Sequence, residues 1–291
     1  MDGMASTPEQ RELGAFLKAC RARLAPGDVG LPEADDFRKV PGLRREEVAQ
    51  LAAISVDYYT RLEQGRVPAS DTVLGTLCAA LRLDDDQRAY LYQVAGRAAG
   101  RPTRGRRQTQ RVRPATRRLL DQLTATPAVV LGKRLDILAW NHGAATLYID
   151  FAQVPVGQRN YVRLLFTDPI LRGMHTQWAH DARDAVAALR MEAAADPDDP
   201  ELARLVGELS VQDPDFRTWW AERRVTGAGH GTKRYRHRLV GDLTLDCDTW
   251  NSPDGSGQRL MLLTAEAGTP SHDALAILAS WSAEPAARHR T

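Results

Sequence analysis

The chain has 291 residues, 43% hydrophobic and 26% charged, with a formal net charge of +2. That length exceeds one ordinary domain and supports two, each with its own core. No apolar run approaches the ~18 residues that cross a bilayer, and the opening MDGMASTPEQ lacks a basic-then-apolar leader pattern. Three scattered cysteines, Cys20, Cys78 and Cys247, exclude a disulfide framework and a thiolate zinc site, so a cytoplasmic protein with no membrane partner is expected.

The charge becomes informative when it is divided. Residues 1–118 hold 21 Lys and Arg against 15 Asp and Glu, whereas residues 119–291 hold 18 against 22. A basic first half suits contact with nucleic acid, and an acidic second half does not.

Residues 9–24 read as a helix, with Leu13, Phe16, Leu17 and Leu24 on one side and basic residues on the other. Residues 25–40, rich in Gly, Pro and Asp, read as an extended loop. The stretch from Pro41 to Pro68 then carries a mechanism as well as a pattern. Residues 44–52 form a helix with Val48, Leu51 and Ala52 inward. Ser55 stands where an N-cap is wanted, residues 56–64 continue at helical period with Tyr59 and Leu62 inward, and Gly65 stops the run. Helix, tight turn, capped helix and glycine stop make a helix-turn-helix, whose second helix enters the major groove. Ser70 or Asp71 opens a further helix to about residue 81, and a fifth runs over residues 84–98 behind three aspartates suited to a helix N-terminus.

Through GLRREEVAQLA, SVDYYTRLEQGR and the hydrophobic helix that follows, the chain resembles repressor-type (XRE-like) DNA-binding domains, and more closely the regulators of the MmyB type. That family usually has glycine where this chain has Ala53, so a left-handed backbone there carries a small local strain. The resemblance also implies a salt bridge between Arg21 and Glu63, which would fix the angle of the recognition helix. The outward face of that helix presents Val56, Asp57, Thr60 and Arg61, with Arg45 beside them. Arg61 suits guanine, Val56 and the Thr60 methyl suit thymine methyls, and Asp57 suits cytosine. Arg44 and Arg66 suit phosphates, and Tyr58 either reaches a phosphate or packs.

Residues 101–118 hold eight arginines, two prolines and no acid, which reads as a solvated linker able to touch the DNA backbone. Pro114 opens a helix through Leu123. Short strands follow at 128–132 and 136–140, then a helix over 143–148 capped by Asn141, a helical middle with helices at 181–195 and 200–209, strands at 233–239, 241–250 and 258–265, and a last helix at 271–281. Two strands, helices and three antiparallel strands give an α+β domain with helices on one face of a sheet. This order resembles a PAS-like domain, and LDILAWNHGAATLY, RLLFTDP, DARDAVAALRMEAA, FRTWW and GTKRYRHRLVGDLTLDCDTW resemble the ligand-binding domain of the same MmyB-type regulators.

The fold expected is therefore two domains: an all-α five-helix helix-turn-helix domain over 1–100, an Arg-rich linker over 101–118, and an α+β PAS-like domain over 119–291. No catalytic or metal motif is present: there is no H-E-x-x-H, no phosphate loop around Gly227, Gly229 and Gly231, and no G-x-S-x-G. His175 and His180 read as a solvated pair. No enzyme activity and no cofactor are expected.

Aromatic and aliphatic bulk, Trp140, Leu147, Phe151, Leu164, Phe166, Trp178, Trp219, Trp220 and Trp250, suits either plain core or a chamber for an apolar ligand. The family resemblance implies a fatty-acid-like ligand, with Asn141 and Arg190 as candidates for its polar end, although Asn141 reads first as a helix cap. A homodimer on a palindromic operator is expected, since one such domain buries little surface. The alternative is a DNA-binding protein whose second domain only dimerises or docks another protein, with its pocket filled by its own side chains.

Overall fold

The computed structural model describes residues 6–32, 42–96, 110–196, 199–226, 230–254 and 256–281. Most of the expected loop (33–41), the end of the fifth helix and the first part of the arginine-rich linker (97–109), and Gly227 and Gly229 lie outside the described residues. The chain divides into two compact units. The first comprises residues 1–104, 190–200 and 218–227, and the second residues 105–189, 201–217 and 228–291.

In the first unit the sequence is helical where caps and apolar spacing say so: α1 (Pro8–Arg23), α2 (Arg45–Leu51), α3 (Val56–Glu63), α4 (Asp71–Ala80) and α5 (Asp85–Val94). The caps are local chemistry. The Ser55 hydroxyl accepts from the Tyr58 amide, Ser70 from Val73, and Thr7 and Asp84 each close a capping box with a glutamine three residues on.

Leu13, Phe16 and Leu17 of α1 meet Val48, Tyr59, Leu62, Leu77 and Leu91 in one core, which also takes in Ala194 and Val225. Helix α1 can lie close to the end of α3 because residue 14 is glycine. A Cβ there would stand 2.4 Å from the Glu63 carbonyl oxygen.

The second unit contains α6 (Pro114–Gln122), β1 (Ala128–Leu131), β2 (Ile137–Trp140), α7 (His142–Leu147), α8 (Tyr161–Thr167) and α9 (Pro169–Met174). It continues through most of α10 (Trp178–Ala195), α11 (Pro200–Gln212), the start of α12 (Pro214–Ala221), β3 (His230–His237), β4 (Gly241–Asn251), β5 (Arg259–Thr264) and α13 (Pro270–Trp281). Among the described residues the strands form one antiparallel sheet in the order β2-β1-β5-β4-β3, the α+β, PAS-like architecture read from the sequence.

Alternation decides which side chains face which layer. Ala128, Val130 and Ala139 lie on the face that receives Val112 and Leu120, whereas Leu243, Leu245 and Tyr235 are buried on the other. The outer face of β3 and β4 is otherwise polar, and Trp250 there is 66% exposed. Trp250 therefore does not join the apolar interior expected of it: its position on the pleat points it outward, paired across the strands with Leu260.

Candidate nucleic-acid interface and ligand-binding domain

The turn between α2 and α3 is closed by the backbone. Ala53 has φ +54°, in the left-handed region expected for it, and the Ile54 amide donates back to the Ala49 carbonyl at 3.0 Å. At the far end of α3, Gly65 (φ +68°) is left-handed too, and the Arg66 amide returns to the Arg61 carbonyl at 2.8 Å. Helix α3 is thus fixed in length by its own ends.

Its orientation is fixed by Glu63. The Glu63 carboxylate is buried and accepts from Arg21 Nη2 at 2.8 Å and from Arg21 Nε at 3.1 Å, and its other oxygen pairs with Arg45 Nε. Two guanidiniums on one carboxylate leave a net positive charge at the junction of α1, α2 and α3. Arg45, expected as a DNA contact, is half exposed and holds this ion pair at the same time.

The outward face of α3 is as spaced in the sequence: Val56 (47% exposed), Asp57 and Arg61 are exposed and Thr60 is half-buried, while Tyr59 and Leu62 are buried. Arg61 Nη2 lies 2.8 Å from Asp57 Oδ2, one helical turn back, so the guanidinium expected to meet a base is folded along the helix. Tyr58 packs: its hydroxyl donates to the Pro68 carbonyl at 3.2 Å, tying α3 to the segment that leads into α4. Arg44 is the exposed N-cap residue of α2, 3.6 Å from Glu46, and Arg66 is exposed just past Gly65.

The residues expected around a ligand do not all come together. Trp140, Leu147, Phe151, Leu164, Phe166 and Trp178 lie in the second unit, whereas Arg190, Trp219 and Trp220 lie in the first. There the Arg190 guanidinium stacks over Trp220, 4.0 Å from the ring centroid, and reaches Glu12 at 3.1 Å.

Within the second unit two aromatic groups form. Phe151 touches Trp140 edge-on at 5.4 Å and Tyr148 at 6.3 Å, and Phe166 lies between Trp178 and Phe216 at 5.5 and 5.2 Å. Trp178 is held by its indole N–H on the Leu165 carbonyl and by Arg172 over its ring. Asn141 is occupied with the backbone. Its Oδ1 accepts from the amides of Ala128 and Ala144, and its Nδ2 donates to the carbonyls of Leu123 and Thr126. That saturates the side chain as a cap and staple. Two open clefts flank Trp140: one of about 400 Å³ lined by Asn141, His142, Thr146 and Asp150, and one of about 310 Å³ lined by Arg117, Leu120, Leu138 and Arg159.

A buried polar cluster escaped the sequence reading. His175 is not solvated: its side chain is 0% exposed, with Nδ1 2.8 Å from Asp181 Oδ2, and only His180 is exposed, near Asp184. Lys233 Nζ takes the other Asp181 oxygen at 2.8 Å. Burial pushes the Asp181 carboxyl up, but the hydrogen bonds from His175 and Lys233 outweigh it and hold the group below its ordinary value. The Tyr148 and Tyr235 hydroxyls are 2.9 Å apart, and burial raises both far above the usual phenol range. No spacing rule links residues 148, 175, 181, 233 and 235, because β3 joins them only after folding.

No cluster of three or more metal-ligating side chains occurs among the described residues, and no described helix is long and apolar enough to cross a membrane. Comparison with curated proteins finds no match. Residues 12–91 match a helix-turn-helix domain family, and residues 112–278 match the MmyB-like transcription regulator ligand binding domain. Both are regulator domains and neither is an enzyme family. With the second match covering more than half of its length, the chain belongs to the MmyB-like family of ligand-responsive transcription regulators.

Proposed function

We propose that the protein is a cytoplasmic homodimeric regulator that reads a palindromic operator through α3 and responds to an apolar, fatty-acid-like molecule held in the domain over residues 119–291. Residues 1–100 act as the DNA-binding domain and 101–118 as a linker. The observation that carries the DNA half is the face of Val56, Asp57, Thr60 and Arg61 on a helix whose opposite side is locked by Glu63. A rigid helix with a short polar-and-apolar outer face is what major-groove readout requires. Arg45 flanks that face, Arg44 and Arg66 take phosphates, and Tyr58 supports the helix.

For the ligand half, Trp140, Leu147, Phe151, Leu164, Phe166 and Trp178 supply the apolar lining. Regulation requires the ligand to bind the DNA-competent and DNA-incompetent states unequally. Residues 190–200 and 218–227 fall inside the matched ligand-binding family yet pack in the first unit, which supports such coupling.

The test is mass spectrometry of small molecules released from the purified full chain, followed by operator titration with and without the molecule found. A lipid-like molecule that changes operator affinity supports the reading. Release of none, together with operator affinity unmoved by added long-chain acids and alcohols, leaves the alternative of a second domain that holds no ligand and serves only dimerisation or protein interaction.

A further inference from the structure

Glu12, on the second turn of α1, gathers three side chains. Its carboxylate accepts from the Tyr90 hydroxyl of α5 at 2.8 Å, from Arg190 Nη1 at 3.1 Å, and from Arg223 through Nε and Nη2, both at 3.3 Å. Arg190 and Arg223 come from the stretch matched to the ligand-binding domain, yet both lie with Glu12 and Tyr90 in the first unit. The contact goes beyond charge. Ala194 and Val225 enter the core of that unit, and the Thr226 hydroxyl reaches Asp86 at 3.4 Å.

The incoming residues are held, not merely adjacent. Arg190 is buried, stacks over the Trp220 ring and donates to the Trp220 carbonyl. Arg223 has φ +52°, a left-handed backbone that a residue other than glycine keeps only where its surroundings hold it. The Glu12 side chain is 29% exposed, so water can take the place of its guanidiniums, whereas Glu63 at 1% has no such alternative. Of the two junctions on α1, Glu12 is the one able to open.

This junction is tied in both directions. Arg21, which fixes α3 through Glu63, lies on the same helix as Glu12, about 14 Å further on at 1.5 Å per residue. The helices that bring Arg190 and Trp220 to Glu12 are α10 and α12, whose first turns carry Trp178 and Phe216, the two rings that enclose Phe166.

We infer that Glu12 is a latch through which the packing of Trp178, Phe166 and Phe216 sets the position of α1, and with it the fit of α3 to DNA. A change at Phe166 displaces the starts of α10 and α12, and the bonds of Arg190 and Arg223 to Glu12 then hold or release α1. In this role Glu12 acts through α1 and is a positioning residue. The inference rests on the reading that the domain over residues 119–291 controls operator binding.

A double-mutant cycle on the full chain tests it, with no ligand added and with affinity measured for a duplex selected from random sequence by the unaltered protein. Phe166→Ala should change that affinity about three-fold or more, and in a Glu12→Gln background the same substitution should change it less than about 1.5-fold. Hydrogen exchange should rise at residues 190–195 and 218–226 in Glu12→Gln, because glutamine keeps an acceptor for Tyr90 but loses the charge that holds both guanidiniums. An equal effect of Phe166→Ala in both backgrounds overturns the inference, and so does unchanged exchange in Glu12→Gln. Phe166→Leu, which keeps most of the packing, gives the same cycle if the alanine variant folds poorly. Failure of both Phe166 variants to move the affinity of the unaltered chain also overturns it. Since the cycle uses no ligand, such a failure is separate from that of the ligand reading, which the released molecules decide.

Discussion

Arg21 on α1 and Glu63 on α3 form a buried ion pair at 2.8 Å, 42 residues apart in the chain, and Arg45 on α2 joins the same carboxylate. The Glu63 side chain is 1% exposed, so its charge depends on these partners for nearly all of its solvation. The three helices α1, α2 and α3 thus meet at one carboxylate.

Removing that carboxylate strands two guanidiniums. Glu63→Ala should destabilise the protein by about 3–5 kcal/mol in urea unfolding, the cost of breaking a buried pair from one side. Arg45→Ala, at a half-exposed position, should cost about 1 kcal/mol or less in stability. Equal losses for the two variants would contradict a junction centred on Glu63.

At Ala53 the strain is of backbone origin. A left-handed alanine costs roughly 1–2 kcal/mol against its right-handed form, and glycine escapes this while losing some chain entropy. Ala53→Gly should therefore stabilise the protein by about 0.5–1 kcal/mol, seen as a higher urea midpoint with an unchanged slope. A lower midpoint would show that the turn is not left-handed at this residue.

Arg61 and Asp57 make the sharpest test of base reading. Arg61→Ala should weaken operator binding by about 1–3 kcal/mol and relax one base position. Because Asp57 holds the guanidinium along the helix, Asp57→Asn should release it and remove a repulsion with phosphates, tightening binding to random duplex and narrowing the gap between operator and non-operator DNA. Equal losses on both duplexes for Arg61→Ala would remove it from the bases.

Arg44 should behave differently. Its exposed place at the start of α2 suits phosphate contact, so Arg44→Ala should weaken all duplexes alike and lower the slope of log affinity against log salt by about 1. An unchanged salt slope would place Arg44 off the DNA.

Asp181 sets an acid limit. Its folded pKa lies below the ordinary value of 3.8, so its contribution is complete above that value and is lost as pH falls through the lower folded value. Asp181→Asn should cost about 3 kcal/mol at neutral pH, by stranding Lys233 and His175, and should flatten stability against pH below about 4. Denaturant melts of both proteins from pH 2 to 7 measure this, and parallel curves would sink it.

The sequence by itself determined what is local. Helices α1, α3, α4 and α5 begin after Thr7, Ser55, Ser70 and Asp84 because those side chains cap amides three residues away, and Gly65 ends α3 for an equally short-range reason. The strands were legible too, with edges a few residues off, since alternation shows which face is buried but not where pairing stops. The long-range arrangement was open to it only by likeness to a family, as with Arg21 and Glu63.

Tertiary structure alone decided that His175 is buried against Asp181 and Lys233, that Trp250 faces outward, and that Arg190, Trp219 and Trp220 pack in the first unit. Each of these outcomes depends on which strand or helix lies alongside. Burial and ion pairing are set by neighbours in space, and a side chain's own stretch of sequence does not name them.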